Sequence, residues 1–176
     1  MIQIVPVSDS DELNDELQKI YFDSFPPDER REWKEMKELV HLNKFRLNQI
    51  FDDQALIGLI SIWSLTNFLF IEHFAISESY RGKGIGSQIL KQIIEEKSIR
   101  IVVEVEEPNN EYARRRIAFY ERQGFSFGNE VYYQPPYSCN KNKVRMLLMS
   151  FPDKIPTLQF PDIRARLYRE VYRCSD

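Results

Sequence analysis

From Gln54 to Ile71 the chain carries no charged side chain, and this stretch limits the fold more than any other. Its length invites reading as a membrane span. Gly58, Ser61, Ser64, Thr66 and Asn67 interrupt it, however, and a centre this polar does not suit hydrocarbon. Broken at Thr66-Asn67 it becomes two strands, Ala55 to Leu65 and Phe68 to Ile76. Phe45 to Phe51 alternates ahead of the turn Asp52-Asp53-Gln54. Three successive strands are therefore expected, as an antiparallel meander.

The flanks supply helices. Met1 to Val7 alternates and reads as a first strand. Ser8-Asp9-Ser10-Asp11 has helix N-cap chemistry with a Ser-x-x-Asp capping-box pattern. Leu13, Leu17, Ile20 and Tyr21 follow at helical spacing until Phe25-Pro26-Pro27 breaks the helix. Asp28 to Val40 reads as a second helix, and its charge run from Asp28 through Glu38 reads as a solvated face. Beyond the meander, a helix over Ile85, Ile89, Ile93 and Ile94 is expected. A buried strand from Ile99 to Val105 follows, then a helix opened by Pro108-Asn109-Asn110 and closed at Gly124. Strands from Ser126 to Tyr133 and Val144 to Phe151 come next. After the proline-spaced stretch from Pro152 to Pro161, a short helix from Asp162 to Tyr172 ends the chain. This order predicts a mixed α/β (α+β) domain, residues 1–151, with a C-terminal extension, residues 152–176, packed on that domain or on a partner.

Composition excludes several classes. The chain has 176 residues, 43% hydrophobic and 29% charged, which is globular rather than disordered or collagen-like. A net charge of -3 lacks the basic excess of a nucleic-acid binder. Cys139 and Cys174 with two histidines make no zinc motif and no disulfide framework. No metal is expected, and reduced thiols point to the cytoplasm. The N-terminus has no signal-peptide pattern, and neither a membrane nor a nucleic-acid partner is expected.

The segment with most chemical content is Tyr80-Arg81-Gly82-Lys83-Gly84-Ile85-Gly86-Ser87. Glycines there let main-chain N–H groups converge without side-chain obstruction. The following helix adds its unpaired amides and positive dipole end, and Arg81 and Lys83 add charge. Such a turn suits phosphate. It is not a Walker A loop, because no Gly-Lys-Ser/Thr follows at the required spacing, nor the G-x-G-x-x-G dinucleotide fingerprint.

Glu72-His73-Phe74-Ala75-Ile76 followed by that turn resembles motif A of the GNAT N-acetyltransferase superfamily, with Arg81, Gly84 and Gly86 at the motif positions. Ala118-Phe119-Tyr120-Glu121-Arg122-Gln123-Gly124-Phe125 looks like its motif B. The resemblance runs to about Phe151. It implies a central, mostly antiparallel mixed sheet flanked by helices, acetyl-CoA as donor and an amine of a small molecule or peptide as acceptor, in a monomer or homodimer. It implies pyrophosphate on the amides of Arg81, Gly82, Lys83, Gly84, Ile85, Gly86 and Ser87. It also implies a pantetheine arm along the main chain of Phe74, Ala75 and Ile76, where two neighbouring strands splay. Many members have an asparagine that contacts the arm seven residues before the motif B tyrosine. This chain has Ala113 there, which leaves Asn109 and Asn110 as candidates.

Amide formation from a thioester needs a base, an oxyanion donor and a donor to the leaving sulfur. Strand alternation puts Phe70, Glu72, Phe74 and Ile76 on one face, the face that looks into the acceptor site in the family. Glu72 is therefore the first expected base, with binding of a cationic acceptor as its other role. Glu104, alone among Ile101-Val102-Val103 and Val105, is the second. His73 falls on the opposite face and reads as structural. Tyr120 has the family's general-acid position. The aromatic and charged segment from Tyr21 to Val40, including Arg30, Arg31 and Trp33, is expected as one acceptor wall, with Tyr132 to Tyr137 as the other. An acyl-CoA-binding module without efficient catalysis is the alternative to an enzyme.

Overall fold

The computed structural model describes residues 1–96, 98–128 and 130–174. The chain divides into two compact units, Met1–Ser64 with Ile71–Ser98, and Leu65–Phe70 with Ile99–Asp176.

Strands β1 (Ile2–Pro6), β2 (Phe45–Asp52), β3 (Ala55–Leu65) and β4 (Phe68–Ile76) follow one another in space in chain order, and all but Leu65 and Phe68–Phe70 of these belong to the first unit. β1 pairs antiparallel with β2, and β2 with β3. The expected meander is present. Gly58 has a packing role in it: a Cβ there would lie 2.3 Å from the Ala75 carbonyl oxygen, so only hydrogen lets β3 approach β4 this closely. The register slips at Ile50/Phe51, next to the Ile50–Gly58 pair.

Helix α1 spans Asp15–Ser24, later than the capping pattern suggested. The capping box forms one residue later than the Ser-x-x-Asp pattern placed it, between Asp9 and Glu12, and it closes a single 3-10 turn, Ser10–Glu12. Asn14 caps α1, accepting from Leu17 N–H at 2.9 Å. The predicted second helix also breaks in two. A 3-10 turn, Pro27–Glu29, precedes an extended Arg30, and α2 begins only at Trp33 and runs to Leu39. The charge run is not uniformly solvated, because Arg31 is 2% exposed. Helix α3 (Ile85–Glu96) buries Ile85, Ile89, Leu90 and Ile93, the 3.6-residue stripe visible in the sequence.

In the second unit, β5 (Arg100–Glu106) pairs antiparallel with β8 (Val144–Phe151), which also carries β6 (Ser126–Phe127) and β7 (Tyr132–Gln134). The single strand expected from Ser126 to Tyr133 is thus two short ones. Gly128 N–H bonds the Leu148 carbonyl, Asn129 lies outside the described residues, and β7 pairs with β8 from Tyr132. Helix α4 (Glu111–Arg122) begins where Asn110 accepts from Ala113 N–H at 2.9 Å. It ends before Gly124 at φ +87, the left-handed position predicted for it. The tail forms α5 (Phe160–Arg166) and continues into a π-helical segment, Leu167–Tyr172. Leu167 and Val171 are fully buried, so this extension belongs to the core of the second unit. Among the described residues, no helix is long and apolar enough to cross a membrane, and no group of three or more acidic, His or Cys side chains could hold a metal.

Candidate active site

In the glycine turn, Gly82 and Gly84 have φ of +76 and +79, and a Cβ at either would meet nothing within 4 Å. These glycines are required by backbone conformation, not by crowding, and the space beside them is open. Gln88 N–H bonds the Gly84 carbonyl, so the α3 ladder starts directly at the turn. The Arg81 Nε donates to the Ile76 carbonyl at 2.8 Å and braces the turn against the end of β4. Lys83 holds its ammonium 4.8 Å over the Tyr80 ring. The arrangement offers amides, a helix N-terminus and two cations to an anion.

The first unit contains a buried polar cluster around Glu72. Its Oε1 accepts from Arg31 Nε at 2.9 Å, with the Arg31 terminal nitrogen at 2.8 Å. Its Oε2 accepts from Trp63 Nε1 at 2.8 Å. Arg31 also pairs with Glu35 one turn on. The Glu72 side chain is 0% exposed, although the residue is half-buried, so solvent at this position meets main chain and not carboxylate. Burial pushes its pKa up, but Arg31, His73 and the Trp63 hydrogen bond outweigh burial and hold it below the usual value. His73 lies behind, 2% exposed. Its Nε2 is 3.1 Å from the Glu29 carbonyl, which can only accept, so Nε2 carries the proton. Nδ1 is 3.3 Å from the Ser61 hydroxyl. Tyr21 stands edge-on to the His73 ring, and its hydroxyl accepts from Arg31 N–H at 2.8 Å. Burial raises the Tyr21 pKa well above the ordinary phenol value, and the Glu72 charge adds to this.

Phe74 and Ile76 are half-buried and Ala75 is buried. The Ala75 carbonyl is the group that Gly58 leaves room for.

The second unit holds the other two candidates. Tyr120 is 5% exposed, ringed by Phe119 at 5.1 Å and Phe125 at 5.3 Å between centroids. Its hydroxyl makes no hydrogen bond among the described residues. Burial pushes its pKa up to about 12, with Arg116 opposing and Glu106 adding. Glu106 and Arg116 are themselves paired, tying β5 to α4. Glu104 lies two residues before Glu106 on β5. It accepts hydrogen bonds from Tyr132 on one oxygen and from Tyr172, at 2.6 Å, on the other.

The structure therefore gathers Arg81 to Ser87 into one turn and leaves Phe74, Ala75 and Ile76 at the end of β4. Glu72 is held by Arg31 and Trp63, and Glu104 by Tyr132 and Tyr172. The Asn110 side-chain oxygen is engaged in capping α4. The Trp63 and Tyr21 contacts to the Glu72 cluster and the reach of Tyr172 to Glu104 carry no sequence signal. Each joins strands or turns distant in the chain.

This combination of sheet, glycine turn and helix-borne tyrosine defines an acyl-CoA acyltransferase fold. A family model, "Acetyltransferase (GNAT) family", matches residues 10–125, and the chain belongs to that family. A solved structure from Bacteroides thetaiotaomicron, described as an acetyltransferase from the GNAT family, shares 35% identity. The match covers 98% of this chain and 99% of that one, with a TM-score of 0.89. A GNAT acetyltransferase from Elizabethkingia anophelis, solved with acetyl-CoA bound, is 18% identical over 85% of this chain and 96% of that one, with a TM-score of 0.57. Among curated sequences, YjbC of Bacillus subtilis, named for acetyltransferase activity, is 24% identical over 57% of this chain. The match spans 55% of that relative's length.

Proposed function

We propose that the protein is an acetyl-CoA-dependent N-acetyltransferase that transfers acetyl directly to a primary amine of a small molecule or peptide, in a ternary complex and in the reducing cytoplasm. The observation that carries this reading is the glycine turn. Two residues at positive φ with open space beside them, at the head of a twelve-residue helix, suit a pyrophosphate. The acetyl-CoA bound by the Elizabethkingia anophelis protein supports the same donor here.

Bound there, the donor supplies a thioester, and the chain's own groups do the rest. The main chain at the end of β4, Phe74 to Ile76, orients the pantetheine arm and donates to the developing oxyanion. Glu104 takes the proton from the attacking amine. It suits this task better than Glu72, which is ion-paired to Arg31 and held below the usual carboxylate pKa, whereas the hydrogen bonds that Glu104 accepts from Tyr132 and Tyr172 come from neutral phenols. Glu72 anchors Arg31, and with it the chain entering α2. Tyr120 presents an unpaired hydroxyl to the leaving sulfur. A phenol pKa of about 12 against about 8.5 for a thiol makes complete proton transfer uphill by roughly 5 kcal/mol. Tyr120 therefore acts mainly by hydrogen bonding the thiolate as it departs.

The test is release of free thiol from acetyl-CoA across an amine panel that includes a polyamine, an arylalkylamine, free lysine and an alanyl peptide. Amine-dependent release supports the enzyme. Tight acetyl-CoA binding with no release on any of these would favour an acyl-CoA-binding module.

A further inference from the structure

Glu104 is engaged by a part of the chain that lies outside the matched family segment. That segment ends at residue 125, yet Glu104 accepts a hydrogen bond on each oxygen from residues beyond it. Tyr132, on β7, is placed by register. It pairs with Met146, which pairs with Glu106 across β8, so Tyr132 and Glu104 share a sheet face on diagonal positions. Tyr172 comes from the end of the tail. Its hydroxyl reaches the second Glu104 oxygen at 2.6 Å, across a sequence separation of 68 residues.

The tail is built to hold that contact. Leu167 and Val171 are fully buried, and Tyr172 is 7% exposed. The segment that carries them is π-helical, a form that is rare and concentrated at functional sites. Arg173, in the left-handed region at φ +55, ends it, and Cys174 N–H closes onto the Tyr168 carbonyl at 3.0 Å. Tyr168 is tied in turn to the β7 main chain, donating to the Tyr133 carbonyl at 2.7 Å. Two further phenols pack against this pair. Tyr137 packs 5.2 Å from Tyr172, and Tyr168 packs 6.1 Å from Tyr132.

We propose that Tyr172, delivered by the π-helical C-terminal turn and working with Tyr132, is a positioning residue for Glu104, so that the tail completes the base of the acetyl transfer. The proposal rests on the assignment of Glu104 as base. One phenol on each oxygen fixes the carboxylate's rotamer and stabilises its charged form. Purely structural packing would need only the ring, which Tyr172→Phe keeps.

The experiment is carbon-13 observation of the glutamate carboxyls in the full chain during a pH titration, with the Glu104 resonance assigned by its loss in Glu104→Gln. In Tyr172→Phe, the Glu104 midpoint is expected to move to higher pH, because the charged form has lost a donor. The variant should stay folded, with a melting temperature that falls at neutral pH by the amount the midpoint shift requires and less at acid pH. Turnover on the amine panel should fall about tenfold, within the range that small misplacements cost, with the Michaelis constant for acetyl-CoA unchanged. Should Tyr172→Phe be poorly folded, Tyr132→Phe removes the other donor and is expected to shift the midpoint in the same direction. An unmoved Glu104 midpoint in the folded variant overturns the proposal, whatever the activity of Glu104→Gln. A Glu104→Gln variant that keeps wild-type turnover instead overturns the base assignment, and with it the catalytic meaning of the latch.

Discussion

Replacing Arg31 by methionine is the sharpest perturbation of the first unit. The Arg31 and Glu72 side chains are 2% and 0% exposed, so solvent cannot replace the lost partner. Removing one member of a buried pair costs about 3–5 kcal/mol, because the remaining charge is left uncompensated. For a chain of this size that lowers the melting temperature by roughly 6–20 °C. The pH dependence should also change sign. In the wild type, Glu72 has a lowered pKa. Its stabilisation is complete above the unfolded carboxyl value and is lost as pH falls through the lower folded one. In Arg31→Met, burial dominates and the folded pKa rises above the unfolded one. The variant then gains relative stability at acid pH and loses it as pH rises. Urea unfolding at several pH values between 4 and 8 measures both effects. Arg31→Met with Glu72→Gln should recover much of the loss, since the remaining carboxylate, Glu35, is 27% exposed and reaches solvent. A single-variant cost below about 1 kcal/mol, the range of an exposed pair, or a cost independent of pH, would refute the argument that this pair is buried and coupled.

Two further substitutions probe the proposed donor arm and sulfur site. Tyr120→Phe keeps the ring and should lower turnover by roughly 10–150-fold, the loss of one hydrogen bond to a charged group at about 1.5–3 kcal/mol. Turnover and specificity constant should fall equally, and wild-type rates across pH 6 to 9 would remove the hydroxyl from the chemistry. Gly58→Ala puts a Cβ 2.3 Å from the Ala75 carbonyl oxygen. It should cost roughly 1–3 kcal/mol by overpacking and weaken acetyl-CoA binding through the displaced β4 main chain. Chemical denaturation and calorimetry would each show an unchanged value if that contact were slack.

The sequence exposed those parts of the fold that depend on local rules. The uncharged stretch from Gln54 to Ile71 announced β3 and β4. The isoleucine spacing announced α3, and Gly124 marked the end of α4 because the turn there needs a left-handed residue. The glycine turn was visible for the same reason. Arg31 was not distinguishable within the run from Asp28 to Glu38, because periodicity treats charge as a mark of surface. Its burial depends on Glu72 and Trp63, which come from two strands later in the chain. The strand expected from Ser126 to Tyr133 is present as β6 and β7, and the Gly128-Asn129 pair within that run is the turn signal that the alternation obscured. The tail looked like an appendage because it lies beyond the motif pattern that ends near Phe151. Its contact with Glu104 depends on a π-helical turn that composition does not reveal.

The central claim is that the turn from Arg81 to Ser87 binds the pyrophosphate of acetyl-CoA. Calorimetric titration of acetyl-CoA into the wild type, Gly84→Ala and Gly84→Asp tests it most directly. Both variants carry a side chain at φ +79, where nothing lies within 4 Å, so both carry a similar strain of about 1–2 kcal/mol. Only aspartate places negative charge where phosphate would lie. The account predicts saturable binding to the wild type, a modest loss in Gly84→Ala and a loss at least tenfold larger in Gly84→Asp. It also predicts that acetyl-CoA at 100 times its dissociation constant stabilises the wild-type fold by about 2.7 kcal/mol. Wild-type affinity in a folded Gly84→Asp variant would contradict it.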